Sequence, residues 1–265
     1  MNLLVITPTL GKSATLMETI ASITAVDREL LHLVVVPSVA HDSLRGRYPR
    51  LRVVADAGQG LYAALNAGLA AASGERWDWF TYINDDDVWT EGMRSSLQQA
   101  ADAGSSCAVV YGRVGLIDAC ARDLGELPVA HFPDDLLKLL VRGIVPLAQP
   151  GTLIHRRVIE QLSGFDASYR SAGDLDAFVR ALTVGVRFEF VNRTVAAFRL
   201  HSGQISKNEK DALREKARAL LPLHAHDRQG GRMAMLRFRL SNLGVYARRI
   251  RRFGFMRMKE IYRHA

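Results

Sequence analysis

Apolar strands and helices alternate along the first 111 residues, and this alternation limits the folds open to the chain. Strands are predicted at residues 3–7, 32–36, 51–54, 77–83 and 107–111, and helices at residues 13–24, 61–72 and 91–103. Parallel strands need long crossover connections, which place helices on the faces of the sheet. The pattern therefore predicts an α/β fold with a mostly parallel central sheet flanked by helices.

Three consecutive carboxylates, Asp85, Asp86 and Asp87, follow the aromatic strand at residues 77–83. Open α/β sheets bind ligands beyond the carboxyl ends of their strands. Three adjacent like charges repel one another unless a cation or a donor-rich ligand offsets them. This acidic turn is a candidate site for a divalent metal and nucleotide phosphates. The alternative is a solvated turn that caps the next helix.

A glycine-rich segment, residues 58–63 (Gly-Gln-Gly-Leu-Tyr-Ala), matches the dinucleotide-binding fingerprint between a strand and a helix. It follows the third strand rather than the first, and no acidic residue closes a strand about 20 residues later. Turn chemistry before a helix also explains these glycines. The segment is therefore interpreted as a turn.

The second half of the chain is less regular. Strands are predicted at residues 152–155, 186–191 and 194–198, and helices at residues 134–141, 157–162 and 174–183. Beyond Ser206 the chain reads as helical and basic. Residues 228–265 hold eleven Lys and Arg but one acid, Glu260, so the formal charge of +8 lies in this tail.

Five motifs, in order and spacing, resemble the family-2 glycosyltransferases with the GT-A fold, above all the small bacterial enzymes that build surface polysaccharides. They are residues 5–9 (Val-Ile-Thr-Pro-Thr), 60–68 (Gly-Leu-Tyr-Ala-Ala-Leu-Asn-Ala-Gly), 84–87 (Asn-Asp-Asp-Asp), 164–166 with 173–176, and 199–206. The resemblance implies a GT-A catalytic domain over residues 1–206 and a basic helical extension over residues 207–265. Residues 1–115 would form the nucleotide-sugar half, and residues 116–206 the half that holds the acceptor and the catalytic base.

The resemblance also assigns roles to individual residues. Asp87 would contact a Mn²⁺ or Mg²⁺ ion, and His201 would complete the metal site. Asp85 would lie near the ribose and sugar, with Asp86 between it and Asp87. Asp174 matches the catalytic base, with Asp176 as the other candidate. Further contacts to the nucleotide sugar are expected from Thr7, Pro8, Thr9, Asp56, Tyr62 and Asn66.

The chemistry of sugar transfer agrees with these roles. Negative charge grows on the diphosphate leaving group as the anomeric bond breaks, and a hard cation held by oxygen ligands stabilises it. The attacking hydroxyl needs a base to accept its proton. The structural alternatives are a first-turn acid at Asp174, favoured by the helix dipole, and a hydrogen-bonded histidine at 201.

The predicted function is inverting, metal-dependent transfer of a single sugar from a nucleotide-diphosphate sugar to a hydroxyl of a glycan or lipid-linked glycan. The processive motif Gln-x-x-Arg-Trp is absent from the sequence, which favours single transfer. One departure is residues 36–40 (Val-Pro-Ser-Val-Ala), where the family usually has an Asp. The alternatives are a nucleotidyltransferase, which residues 9–12 (Thr-Leu-Gly-Lys) match thinly, and a glycosyltransferase-like binding protein without activity.

The basic tail carries an apolar repeat at residues 236, 240, 243, 247, 250 and 253. Such a helix suits an anionic membrane surface. The alternatives are packing on the body of the protein and binding of nucleic acid, which is not expected because no recognisable module is present. Cys107 and Cys120 share no metal-ligand spacing, and the sequence shows neither a signal peptide nor an apolar run of about 18 residues. The expected location is the cytoplasm, and the inner face of the plasma membrane if the tail binds lipid.

Overall fold

The computed structural model describes residues 1–104, 109–201, 209–225 and 229–254. Its strands are β1 (Leu3–Pro8), β2 (Leu31–Pro37), β3 (Val53–Asp56), β4 (Trp79–Tyr82), β5 (Val88–Trp89), β6 (Val109–Asp118), β7 (Asp123–Glu126), β8 (Thr152–His155) and β9 (Phe188–Leu200). Its helices are α1 (Leu16–Val26), α2 (Ser38–Arg47), α3 (Leu61–Ala71), α4 (Met93–Ala103), α5 (Leu136–Leu140), α6 (Arg156–Gln161), α7 (Gly173–Thr183), α8 (Glu209–Leu220), α9 (Gly231–Ser241) and α10 (Leu243–Phe253).

The described strands form one sheet in the order β3-β2-β1-β4-β8-β6-β9-β5, with β7 paired to β6. Strands β1 to β4 are parallel to their neighbours within this group, and β6 is parallel to β9. Strands β5, β7 and β8 join antiparallel. The predicted α/β fold with flanking helices is therefore confirmed.

Both faces of the sheet are buried, as β1 shows. Leu4 and Ile6 pack in one cluster with Leu65 of α3, whereas Leu3 and Val5 pack in a second cluster that contains residues of α1 and α4. Strands buried on both faces are continuous apolar runs, which is why this strand was recognisable in the sequence. The parallel strands bring the ends of β1, β3 and β4 to one edge of the sheet, where the candidate residues lie.

Several elements differ from the sequence prediction. The two strands predicted at residues 186–191 and 194–198 are one strand, β9, whose pairing with β6 shifts register around Arg113. This bulge carries the exposed residues Asn192 and Arg193, which interrupt the apolar pattern. Helix α2 was missed because it buries only Leu44 and has no apolar face to detect. Strands β5 and β7 were also missed.

Ser13 was predicted to start the first helix, but α1 begins at Leu16. The Ser13 hydroxyl donates instead to the carbonyl oxygen of Asp85, at 2.9 Å. The segment between β1 and α1 is therefore fastened to the acidic turn.

The apolar repeat in the tail predicts one helix, but the structure has two, α9 and α10, with a break at Asn242. The buried Asn242 amide pairs with both backbone groups of Val129, at 3.0 Å and 2.9 Å, which anchors the break to the body. We call Leu236, Leu240, Leu243, Ala247 and Ile250 the apolar stripe. All five are exposed. The last residue of the predicted repeat, Phe253, instead packs against the Leu116–Leu200 cluster. Within the described residues, no helix is long and apolar enough to cross a membrane.

Candidate active site

The acidic turn lies between the ends of β4 and β9. The pairing of Val88 in β5 with Ala197 in β9 brings the turn beside Arg199 and His201. On its other side, the hydroxyls of Ser13 and Thr15 both donate to the carbonyl oxygen of Asp85, each at 2.9 Å. Contacts with the backbone of the turn and of β5 thus hold it on two sides, apart from the side chains of the three aspartates.

Asp87 is fully buried and fastens the turn to β9. Its Oδ1 accepts the backbone N–H of Arg199 at 2.8 Å, and its Oδ2 accepts the side-chain amide of Asn84 at 3.2 Å. Burial raises the pKa of Asp87 well above its usual range, the charge of Asp86 raises it further, and the Arg199 N–H opposes the shift. Asp87, for which a metal contact was predicted, therefore uses both carboxylate oxygens in contacts within the protein.

Asp86 and His201 meet at the open side of the turn. His201 Nε2 lies 2.7 Å from Asp86 Oδ2. The other oxygen, Oδ1, is buried and has no hydrogen-bond partner among the described residues. A buried carboxylate oxygen without a partner is costly, so it favours binding of a cation or a donor group there. The structure thus brings His201 together with Asp86 rather than with Asp87.

These two side chains fit a divalent cation as a partial ligand set. The described residues contain no group of three His, Cys, Asp or Glu side chains that could hold a metal. Mg²⁺ is commonly bound through one or two carboxylates plus phosphate oxygens and water, so a partial set is what phosphate-linked metals require.

Asp85 faces the end of β1. Its Oδ2 accepts the hydroxyl of Thr9. Burial raises the pKa of Asp85, and the hydrogen bond from Thr9 opposes that shift. Thr9 and Asp85, both predicted donor contacts, therefore lie together next to the Asp86–His201 pair.

The predicted base, Asp174, lies in the first turn of α7. Its Oδ1 accepts the hydroxyl of Tyr62 at 3.3 Å and the N–H of Leu175 at 2.8 Å. Burial raises the pKa of Asp174, while these two donors lower it. Burial raises the pKa of Tyr82, at the end of β4, and Tyr62, Asp174 and Asp87 raise it further. The rings of Tyr82 and Tyr62 both pack against Phe165, with centroids 6.0 and 5.9 Å from it, so aromatic contacts connect the end of β4 with the base candidate.

Gly173 explains how Tyr62 reaches Asp174. A Cβ atom at Gly173 would lie 2.8 Å from the Tyr62 ring, too close for any larger residue. The glycine at this position therefore makes room for the ring that donates to the carboxylate. The sequence predicted roles for Tyr62 and Asp174 but not the contact between them.

Asp176, the second base candidate, has a structural partner. Its Oδ2 accepts from Nε of Arg180 at 2.7 Å, and the same guanidinium donates to the carbonyl oxygens of Leu162 and Gly164. This arrangement ties α7 to the end of α6. The two carboxylates thus face different surroundings, and only Asp174 faces Tyr62.

Four further predicted nucleotide contacts lie at or near this edge. Thr7 is fully buried, and its hydroxyl is 2.9 Å from Nε2 of His32, whose pKa burial lowers to about 4. Pro8 ends β1. Asp56 ends β3, and its buried Oδ1 has no partner among the described residues. Asn66 is engaged with Phe165, whose carbonyl oxygen and N–H it bonds at 2.8 Å and 3.0 Å.

Arg199 holds the candidate site together, a role that the sequence did not predict. Its guanidinium donates to the carbonyl oxygen of Asp86 at 2.7 Å and pairs with Glu18 of α1 at 2.7 Å. It thereby joins the acidic turn, α1 and β9. The sequence signal for this role was the position of Arg199, two residues before His201 and just after a predicted strand.

Comparison with known proteins decides the family. A model of the family described as glycosyl transferase family 2 matches residues 4–162. The chain belongs to this family. The glycosyltransferase prediction is therefore confirmed over the acidic turn, whereas Asp174 and His201 lie beyond the matched residues. No curated protein sequence matches the chain.

Solved structures of other glycosyltransferases share the fold. Residues 1–349 of TarS from S. aureus, in complex with UDP-GlcNAc, align with a TM-score of 0.61 at 14% identity over 92% of this chain and 73% of that chain. The mannosyltransferase PcManGT from Pyrobaculum calidifontis, in complex with GDP-Man and Mn²⁺, aligns with a TM-score of 0.52 at 15% identity over 93% of this chain and 75% of that chain. At these identities the likeness establishes the GT-A fold of this glycosyltransferase.

Proposed function

We propose that the protein transfers a single sugar, with inversion, from a nucleotide-diphosphate sugar to a hydroxyl of a glycan or lipid-linked glycan. The observation that carries the proposal is the pairing of Asp86 with His201, which the contact between β5 and β9 brings together at the sheet edge. One side of the edge offers oxygen and nitrogen ligands, and the other offers a carboxylate that can accept a proton. The nucleotide-sugar complexes of TarS and PcManGT support a donor of this class.

Asp86 and His201 would hold the divalent cation, Mn²⁺ or Mg²⁺, in place of the Asp87–His201 set expected from the sequence. When bound, the cation offsets the charge that grows on the departing nucleotide diphosphate. Asp87 would act indirectly, because its contact with the Arg199 N–H fixes the backbone that carries Asp86 on one side and His201 on the other. The Mn²⁺ in the PcManGT complex supports this choice of metal.

Asp174 would accept the proton of the attacking hydroxyl. A base works best when its pKa approaches the working pH, and burial raises the pKa of Asp174 in that direction. Direct displacement with one base needs no covalent intermediate, so the sugar would invert. Because the base must be deprotonated, kcat/KM should rise with pH through the raised pKa of Asp174.

The acceptor would be a surface-polysaccharide intermediate met at the cytoplasmic face of the membrane. The exposed apolar stripe beside the arginines of α9 and α10 supports this part of the proposal. Residues 118–149, which include β7 and α5, would form much of the acceptor side.

The test compares two isosteric variants, Asp174→Asn and Asp176→Asn, in a transfer assay with Mn²⁺ and a panel of UDP-, GDP-, dTDP- and CMP-sugars. We expect Asp174→Asn to lower kcat by about 10²- to 10⁴-fold, the usual contribution of a general base. Donor affinity, measured by thermal shift, should stay unchanged. Asp176→Asn should keep most of the activity, since an amide oxygen can still accept from Arg180.

Equal activity of the two variants would remove Asp174 from the role of base. Failure of every nucleotide sugar to stabilise the wild-type protein in the presence of Mn²⁺ would reject the proposed donor site.

A further inference from the structure

A cavity of about 650 Å³ lies between helix α10 and the hairpin formed by β6 and β7. Its volume falls within the range of small-molecule sites. Among the described residues, five arginines and two carboxylates line it, a formal excess of three positive charges. The charged residues are Arg113, Arg248, Arg249, Arg251 and Arg252, with Asp123 and Glu126.

The two carboxylates hold three of the guanidinium groups around the cavity. Glu126 accepts from Arg248 at 2.5 Å and lies 3.7 Å from Arg113. Asp123 lies 3.6 Å from Arg252. In Arg113, the Nε donor is buried and has no hydrogen-bond partner among the described residues. A buried cationic donor without an acceptor is unfavourable, so a bound anion would stabilise this arrangement.

The cavity lies next to the candidate active site along the same strands. Gly115 and Leu116 of β6 line it and pair with Ala197 and Phe198 of β9. Two residues further along, β6 ends at Asp118, whose carbonyl oxygen accepts from Arg199. At about 3.3 Å per residue, the cavity is roughly 7–10 Å from the strand ends that carry Arg199 and His201.

We propose that this cavity binds a diphosphate group, and that it does so for the lipid-linked acceptor rather than for the sugar donor. Guanidinium groups bind phosphate oxygens in a forked geometry, and several converging arginines suit a group with more than one negative charge. The acceptor role rests on the proposed sugar transfer. Binding of a diphosphate does not, because it follows from the lining alone.

The test measures binding by calorimetry on the full chain, in EDTA so that a metal-dependent donor site stays empty. The probes are inorganic pyrophosphate and farnesyl diphosphate. The cavity variant is Arg249→Gln with Arg251→Gln. The matched control is Arg232→Gln with Arg239→Gln, which removes the same charge from exposed arginines of α9 outside the cavity.

We expect the cavity variant to lose at least about tenfold in affinity for both probes, since each contact from a charged donor is substantial. The control should stay within about threefold of the wild type, because distant surface charges act weakly through salt. Equal losses in both variants, or no binding of either probe to the wild type, would overturn the proposal.

The two probes separate the sources of the diphosphate. Tighter binding of farnesyl diphosphate than of pyrophosphate supports the lipid-linked acceptor, and equal or weaker binding overturns that role. If the cavity variant does not fold, arginine modification by phenylglyoxal on the wild type replaces it. Pyrophosphate should then protect Arg249 and Arg251 but not Arg232, and uniform labelling would reject the site. Neither readout needs turnover, so an inactive transferase would not affect the result.

Discussion

Two adjacent carboxylates of the acidic turn, which the N–H of Asp87 closes on the carbonyl oxygen of Asn84 at 3.2 Å, have different partners. Asp87 points inward to the backbone of Arg199 and the amide of Asn84. Asp86 points to His201. Asp87 therefore supports the turn, whereas Asp86 faces the side on which a ligand would bind, although both side chains are carboxylates.

This division predicts different consequences for Asp86→Ala and Asp87→Ala. Asp86→Ala should weaken Mn²⁺ binding by about tenfold or more, as loss of a ligand does, with little change in the free energy of unfolding. Asp87→Ala leaves the buried N–H of Arg199 without its acceptor and should lower the free energy of unfolding by about 1–3 kcal/mol. Calorimetry with Mn²⁺ and urea denaturation measure the two effects. The assignment is wrong if Asp87→Ala abolishes Mn²⁺ binding while Asp86→Ala does not.

At this scale the sequence predicted a candidate site but not the contacts within it. The position of the triplet after a buried strand was enough to predict the candidate site. The choice between Asp86 and Asp87 depends on how Val88 pairs with Ala197, more than 100 residues later in the chain. Such a contact between distant segments leaves no local pattern. The hydrogen bond between Tyr62 and Asp174 likewise joins residues far apart in the sequence.

At the scale of elements, helix α8 holds the loop that leads into α7. The carboxylate of Glu215 accepts the N–H groups of Arg170, Ser171 and Ala172 at 2.8, 2.7 and 3.1 Å. Burial alone would raise the pKa of Glu215, but these donors hold it below its usual range. Arg218 of the same helix donates to Ser168 at 2.7 Å and lies 4.2 Å from the Tyr169 ring. The loop ends at Ala172, two residues before Asp174.

Glu215→Ala should therefore lower kcat more than it changes donor affinity, because α8 would no longer position the start of α7. It should also lower the free energy of unfolding at pH 7 by about 1–3 kcal/mol. A lowered carboxyl pKa stabilises the folded protein above the unfolded pKa, and that contribution disappears as the pH falls through the folded pKa. The difference between wild type and variant should thus shrink in acid.

The control is Asp211→Ala, which removes an exposed carboxylate from the same helix. Its ion pair with Arg214 is exposed on both sides, so the change in stability should stay within about 0.5 kcal/mol. Urea denaturation at pH 7 and pH 4 with steady-state kinetics measures both variants. A loss of donor affinity without loss of kcat in Glu215→Ala would exclude a positioning role.

Elements with a regular apolar pattern were predicted, and those without one were not. Helices α4 and α7 were found within two residues of their ends because each has a periodic apolar face, and α3 because it is a run of apolar residues after Gly60. Strand β5 has two residues, and α2 buries one side chain, so neither gives a periodic signal. Glu215 and Asn242 act through contacts with remote backbone, which composition does not show.

At the scale of the whole molecule, helices α9 and α10 present several large apolar side chains to solvent. Leu236, Leu240 and Leu243 are exposed to 49, 55 and 58%. Both helices also pack on the body, where Phe238 and Val245 are buried and Arg237, Arg248 and Arg252 reach carboxylates. This packing leaves the apolar stripe exposed.

The positive charge of α9 and α10 indicates which kind of surface would cover the apolar stripe. Residues 229–254 contain seven arginines and no Asp or Glu. An anionic lipid surface offers both an apolar interior for the leucines and negative headgroups for arginines, each of which contributes about 1 kcal/mol near such a surface. A neutral apolar partner would satisfy the leucines alone.

We therefore expect the full chain to float with vesicles of phosphatidylcholine and phosphatidylglycerol, and not with phosphatidylcholine alone. The double variant Leu240→Glu with Leu243→Glu should lose at least about tenfold in partitioning, because it removes two exposed apolar side chains and adds negative charge. The matched control is Leu213→Glu with Leu221→Glu, which alters two leucines exposed to 65 and 56% outside the apolar stripe. It should float nearly as the wild type does, and binding of all forms should fall with salt because headgroup attraction is screened.

Equal losses in both double variants would show that net charge alone drives binding. A dimer in light scattering that the stripe variant dissociates, with no flotation of the wild type, would assign the apolar stripe to a second copy of the chain.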